Sequence, residues 1–312
     1  MYKVRDLVNS PKFAPPVPHP EILDDTYIGI EVETEGSGVR PYDADEALQY
    51  WRCTEDGSLK SNSPWEFIFV SPMAGGQVVT ALEELDEYLS GTPVKYPLNT
   101  GVHVHINVGD LNTKELRRFV YLLLVTESAL LKYSGGKFNN NFCLPWKNVS
   151  MHMMQAFGQF LEVSHSMPDM MEGMKYATIN VASIFKLGTV EVRTLTGTHS
   201  KDVILDWVNV LLRLKEFAVT RLKGDDVLDY ATSKRSVIEF LKIIWDDATV
   251  RKMLHKELHK DMLSASLMAR VILFPKNGKE FRKGFTDTQD TAASDIMDMI
   301  NNLAEAEYTQ GE

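Results

Sequence analysis

Polar residues fall on every second position in four stretches of the chain that are otherwise apolar. Tyr27-Ile28-Gly29-Ile30-Glu31-Val32-Glu33 spaces two carboxylates two apart, and Gly101-Val102-His103-Val104-His105-Ile106 does the same with two imidazoles. Thr189-Val190-Glu191-Val192-Arg193 pairs a carboxylate with a guanidinium, and Trp65-Glu66-Phe67-Ile68-Phe69-Val70 carries one acid. In a strand, residues i and i+2 share a face while i+1 faces away. Each stretch is therefore expected as a strand with an apolar face (Ile30, Val32, Val102, Val104, Ile106, Val190, Val192) and a face of acids, histidines and arginine. A merely solvated face more often carries Lys, Thr and Ser. Neighbouring strands of this kind would line up an array of cation ligands.

Between these stretches the apolar period lengthens to that of helices. The spacing predicts a short helix at Asp45–Leu48 leading into a strand at Tyr50–Cys53. It also predicts a helix over Gln77–Leu89 with Val78, Leu82, Leu85 and Leu89 inward and Gly91 past its end. Thr113 is expected to cap a helix whose buried stripe is Leu116, Val120, Leu123, Leu124 and Leu130. Thr178–Phe185 and Thr189–Leu195 read as a hairpin joined through Lys186-Leu187-Gly188. Ser200 would cap a long helix reaching about Leu222, with Val203, Trp207, Val210, Leu211 and Leu214 inward. Past Asp226 the pattern is almost wholly helical, including Val237–Trp245 and Ala292–Ala306. The elements predict an α+β fold: a mostly antiparallel sheet with helices packed on one face, then a helical C-terminal region. The expected organisation is an extended Pro-rich arm over 1–21, a catalytic domain over 22–225 and the helical region over 226–312.

A chain of 312 residues with 44% hydrophobic and 24% charged residues can bury a full core. The net charge of −10 argues against a general nucleic-acid binder, because phosphate neutralisation needs a basic surface. Two cysteines, Cys53 and Cys143, make neither a disulfide framework nor a CxxC site, so a reducing cytoplasm is the expected compartment. The first twenty residues lack the apolar core of a signal peptide, and runs such as Val120–Val125 are too short to span a bilayer.

Carboxylates suit Mg²⁺ and Mn²⁺, and imidazole adds tolerance for Mn²⁺ or Zn²⁺. Glu31, Glu33, Glu66 and Glu191 cannot all ionise side by side without a counter-charge, since like charges within a few Å raise each other's pKa. Divalent cations would supply that charge. Arg193 beside Glu191 offers a planar fork for phosphate. Together these residues suggest a cation-bridged polyphosphate more than a bare hydrolytic metal.

The same segments resemble the amidoligase family, part of the carboxylate–amine ligases that share the glutamine synthetase fold. The resemblance runs over roughly residues 27–215. It rests on the G-x-E-x-E strand, an Asp-Gly-Ser turn at 56–58 followed by Glu66 and Ser71-Pro72, the G-x-H-x-H strand and the V-E-x-R strand, in that order. It implies that Glu31, His103 and Glu191 hold a cation bridging ATP phosphates, and that Glu33 and Glu66 hold a second one nearer the carboxylate substrate. It places His105 and His103 toward the nucleotide, Arg193 at the transferring phosphate, and Lys175 or Lys137 toward substrate or phosphates. Asn139-Asn140-Asn141-Phe142-Cys143 and Lys175 through Asn180 resemble secondary patches of the family. The implied reaction uses ATP with Mg²⁺ or Mn²⁺ to turn a carboxylate into an acyl phosphate. An amine, on a small molecule or a peptide, then displaces phosphate. A single chain or an oligomer is compatible with this.

Two other readings stay open. His103, His105 and a glutamate can serve a hydrolytic Zn²⁺, or the chain can be a non-catalytic partner-binding member of the family. Bland readings also stand beside single residues: Asp56 as a turn residue, Cys143 as a buried inert thiol, and Glu83-Glu84-Asp86-Glu87 as a solvated helix face. The methionine-rich stretch 151–174 fits either a lid or a core helix pair.

Overall fold

The alternating stretches pair into a single sheet. In the computed structural model the described residues are 3–8, 12–13, 15–23, 26–36, 38–39, 41–57, 59, 63–135, 143–149, 157–158, 174–222 and 234–273. Among them six strands are formed: β1 (Ile28–Glu35), β2 (Trp51–Glu55), β3 (Pro64–Phe69), β4 (Gly101–Asn107), β5 (Ile179–Asn180) and β6 (Thr189–Thr196). Their order is β2-β3-β1-β4-β6-β5, with every neighbouring pair antiparallel. The expected α+β class and antiparallel sheet are present.

Helices pack around the sheet and on one another. These are α1 (Val4–Val8), α2 (Pro41–Ala47), α3 (Gly76–Ser90), α4 (Thr113–Tyr133), α5 (Ser183–Leu187), α6 (Lys201–Thr220), α7 (Lys234–Ile244), α8 (Asp247–Met253) and α9 (Leu258–Leu273). Helix α6 touches β4, α3 and α4, while α8 and α9 pack on α4. Helix α4 thus lies between the sheet and an outer helical layer. This explains why Phe119 through Glu127 are buried without a break, where a surface helix would show an exposed stripe. Trp245 Nε1 donates to Val210 O at 3.0 Å and Phe217 meets Phe240 edge-on, so the C-terminal helices share the core of the sheet-bearing part.

Several local expectations shift. The cap of α4 is Asn112 rather than Thr113: its side chain accepts from Lys114 N and Glu115 N, and Glu115 returns a bond to Asn112 N at 2.7 Å. Val203 is 47% exposed, because the inward stripe of α6 runs through Ile204, Trp207, Val208 and Leu211. The acids of α3 are not simply solvated. Glu84 accepts from Gln49 N and Tyr50 N, Asp86 accepts from Lys201 N at the start of α6, and Glu83 pairs with Lys201 Nζ. Residues 4–8 are helical rather than extended, with Val4 N bonded to Leu111 O at 2.8 Å. The hairpin before β6 is cut short. Only Ile179 and Asn180 pair with β6, and the chain then turns through α5. Gly188, at φ 69°, takes the left-handed conformation that ends α5 and starts β6. The expected helix at Ala292–Ala306, Lys137, Asn139–Asn141 and most of the methionine-rich stretch lie outside the described residues.

Glu127 is a buried acid with a structural task. Both its oxygens accept from Trp146 N, at 3.0 and 3.2 Å, and Thr178 Oγ1 donates to it. Helix α4 is thereby tied to the loop before β5. Burial pushes its pKa up from an ordinary 4.5 to about 7, against the opposing hydrogen bonds from Thr178 and Trp146. A carboxyl whose folded pKa exceeds its unfolded one contributes stability at low pH that is lost as pH rises through the folded value. Glu127→Gln should therefore gain stability relative to the native protein as pH climbs from 4.5 to 7. Urea melts of both proteins across that range check it; a constant difference would refute it.

Candidate active site

Sheet register gathers the polar residues of four strands. Glu31 of β1 lies opposite His103 of β4, Gly29 opposite His105, and Glu33 opposite Glu66 of β3. His105 lies opposite Glu191 of β6. Between the pairs Val102–Leu195 and Val104–Val192 the register shifts, so that Arg193 and Thr194 together face His103. This bulge keeps Arg193 with Glu191 on the polar face while Leu195 rejoins the core. Gly29 has a steric reason: a Cβ there would already stand 3.4 Å from His105 Cβ, and a longer side chain would displace the ring.

Glu31 is the hub. Its Oε2 lies 3.0 Å from His103 Nδ1 and its Oε1 3.0 Å from His105 Nε2. His103 Nε2 is 3.4 Å from Glu33 Oε1, and His103 Nδ1 is 3.7 Å from Glu191 Oε1. Arg193 pairs with Glu191 Oε1, and Asn180 Nδ2 donates to Glu191 Oε2 at 2.6 Å. The ligand atoms of Glu31, Glu66 and His103 all lie within 4.8 Å of one another, as do those of Glu31, His105 and Glu191. The residues singled out from the sequence thus converge, but they group differently from the resemblance's assignment. His105 completes a ligand set, and Glu66 joins Glu31 and His103. The two histidines fall in separate sets.

The electrostatics follow from this crowding. Burial would raise the Glu31 carboxyl, yet hydrogen bonds from His103 and His105 hold it far below the usual carboxylate range. Burial likewise opposes ionisation of Glu191, and the charges of His105, Arg193 and His103 overcome it and lower its pKa. For Glu66 the one opposing charge, that of Arg193, is outweighed. Burial, with the negative charges of Glu31, Asp56 and Glu33, pushes it up to about 8. Asp56 accordingly sits close enough to act on Glu66, besides its place in the turn after β2.

A cavity of about 220 Å³ opens on one side of the hub, lined by Glu31, His105, Asn180, Ser183, Glu191 and Arg193, with Lys175 and Lys186 exposed beside it. Lys175 stands over the ring of Tyr176. Cys143 is buried, and its thiol donates to Arg193 O at 3.4 Å, which fits the inert reading. Sequence reasoning missed the roles of Thr189, whose Oγ1 lies 3.1 Å from His105 Nδ1, and of Asn180. Thr189 was legible, since it shares the alternation of Glu191 and Arg193. The contact of Asn180 depends on strand pairing. Elsewhere, Ser128 Oγ lies 2.8 Å from His255 Nε2 and donates to Asp261 Oδ2 at 2.7 Å. In a hydrolytic triad the acid instead orients the far ring nitrogen, so this cluster is a clasp between α4 and the C-terminal helices.

The donor set fits divalent cations. Glu33 and Glu66 face each other directly across an antiparallel pair, an arrangement that repels unless a positive charge intervenes. Each three-residue set offers two carboxylates and one imidazole, donors suited to Mg²⁺ or, better, Mn²⁺. Among the described residues no helix is long and apolar enough to cross a membrane. No curated protein matches the chain. The family model described as "Putative amidoligase enzyme" matches residues 26–215, the stretch that supplies every strand among the described residues and every candidate ligand of this site, and the chain belongs to that family.

Proposed function

We propose that the protein is an ATP-dependent carboxylate–amine ligase that works through an acyl phosphate. The observation that carries this reading is Glu31, shared by two adjacent ligand sets with Arg193 held beside them. A cation in each set would neutralise phosphoryl charge and polarise the phosphate oxygens. Glu31, Glu66 and His103 would hold one, and Glu31, His105 and Glu191 the other. Arg193 would meet the phosphoryl group with its guanidinium, oriented by Glu191. The cavity is smaller than pockets that enclose a drug-sized ligand, so it suits a phosphate tail while the rest of a nucleotide extends outward. Lys175 stands where it can meet an anionic group at the mouth. In the first step a carboxylate oxygen attacks the terminal phosphorus and ADP leaves. In the second an amine attacks the acyl carbon, phosphate leaves and the amine gives up a proton.

The hydrolase reading asks for His103, His105 and a glutamate around one Zn²⁺, and the separation of the histidines into two sets disfavours it. Incubation with ATP, Mg²⁺ or Mn²⁺, hydroxylamine and a panel of carboxylic acids should yield hydroxamate and ADP. Nucleotide-independent cleavage of amides, with no melting shift on adding Mn-ATP, would defeat the ligase reading. A second expectation concerns protons. Glu66 of the metal-free protein keeps its proton below about 8, and a cation ligand must be ionised. Mn²⁺ binding at pH 7 should therefore release a proton, and its affinity should rise with pH and level off above about 8. Calorimetry in buffers of different ionisation enthalpy measures that release, and Glu66→Gln should lower it by the share of Glu66, leaving any proton that His105 gives up on binding through Nε2.

A further inference from the structure

Glu191 and His105 do not hold their positions by strand geometry alone. The Oδ1 of Asn180 accepts from Ala182 N at 2.9 Å. A backbone N–H can only donate, so this bond fixes the amide with its Nδ2 toward Glu191 Oε2, 2.6 Å away. Asn180 is 5% exposed and is itself held, since Ser183 Oγ donates to Asn180 O at 2.9 Å. The same Ser183 hydroxyl lies 2.7 Å from Thr189 O. Thr189 in turn places its own hydroxyl 3.1 Å from His105 Nδ1. The turn between β5 and β6 therefore reaches two of the three members of one ligand set, Glu191 and His105, through a single hydrogen-bonded chain.

We propose that Asn180 and Thr189 are positioning residues that orient Glu191 and His105 toward one bound cation, an inference that rests on the cation reading of the site. The chemistry fits each partner. An amide that can only donate to Glu191 Oε2 holds the carboxylate plane without competing for the cation and adds no charge. Binding through His105 Nε2 requires that nitrogen without a proton, so Nδ1–H must donate, and the Thr189 hydroxyl is there to accept. A hydroxyl also donates, so the contact survives when the imidazole changes tautomer. The other set, Glu31 with Glu66 and His103, has no member in contact with either residue through these bonds.

The probe is Mn²⁺, titrated into the full chain and followed by the electron paramagnetic resonance of free Mn²⁺, beside melting curves of the metal-free proteins. The native chain should bind two ions. Asn180→Ala and Thr189→Val should each weaken one of the two by about ten-fold, the usual range for groups that orient a ligand, and leave the other unchanged. Thr189→Ser, which restores the hydroxyl, should recover the affinity. A purely structural role would lower the melting temperature and leave the Mn²⁺ isotherm of the folded protein alone, and that result would overturn the inference. Thr189→Val changes only a hydroxyl for a methyl and decides the matter if Asn180→Ala fails to fold. A native chain that binds no Mn²⁺ would instead remove the cation reading, and this inference with it.

Discussion

Glu31→Gln should abolish binding of both cations and cut ligase turnover by at least ~10³-fold, since metal and electrostatic stabilisation supply most of a phosphoryl-transfer rate. Glu31 alone belongs to both ligand sets, with one oxygen near each histidine. A glutamine there keeps the shape and loses the charge, so each set falls to one carboxylate and one imidazole. Glu66→Gln and Glu191→Gln should each cost a single ion, because each residue belongs to one set. Glu35→Gln should change little: Glu35 ends β1 opposite Pro64, away from the histidines. Mn²⁺ stoichiometry and hydroxamate formation in the four variants check the pattern. If Glu31→Gln still binds two ions at concentrations that saturate the native protein, the hub assignment is wrong.

The second large effect concerns stability. Lys215→Ala should destabilise the protein by about 3–4 kcal/mol, the scale for losing a buried aliphatic stem together with its buried hydrogen bonds to Thr26 and Asn107. Lys215 sits on α6 and is 3% exposed. Its Nζ donates to Thr26 Oγ1 and Asn107 O, both at 2.9 Å, and to Asp110 Oδ1 at 3.1 Å. One ammonium thus joins α6 to the entry of β1 and the exit of β4, the two central strands of the site. Asp110→Asn should cost much less, under about 1 kcal/mol, because Asp110 is half-exposed and water replaces its partner. Lys215→Met keeps the stem and should fall between the two. Urea unfolding gives all three values, and a Lys215→Ala loss below about 1 kcal/mol would show that the ammonium is dispensable.

The two predictions differ in how far the sequence anticipated them. Glu31 was legible as a residue of the polar cluster because alternation places it opposite Ile30 and Val32, and because acids and histidines recur in the same phase on three other stretches. Lys215 gave no such sign. It stands within an apolar helical pattern, and its partners lie 105 or more residues away. The shift of the α4 cap to Asn112 was close to legible, since Asn112 and Glu115 have capping-box spacing. The loss of the hairpin before β6 was not, because Thr178–Phe185 is apolar enough for a strand and turns into α5 through bonds from Asn180 and Ser183.

The alternation along each stretch already determined which side chains share a face and what chemistry that face carries. It is a property of two-residue repeats and needs no partner. The tertiary structure alone decided which face-mates meet. The order β2-β3-β1-β4-β6-β5 and the one-residue bulge opposite His103 set Glu33 against Glu66, divided the histidines between two ligand sets and brought Asn180 to Glu191. Register is fixed by the whole core packing beneath the sheet, since a slip of one residue would turn every buried valine and isoleucine outward. That cost is summed over strands far apart in the chain, so no single stretch contains it.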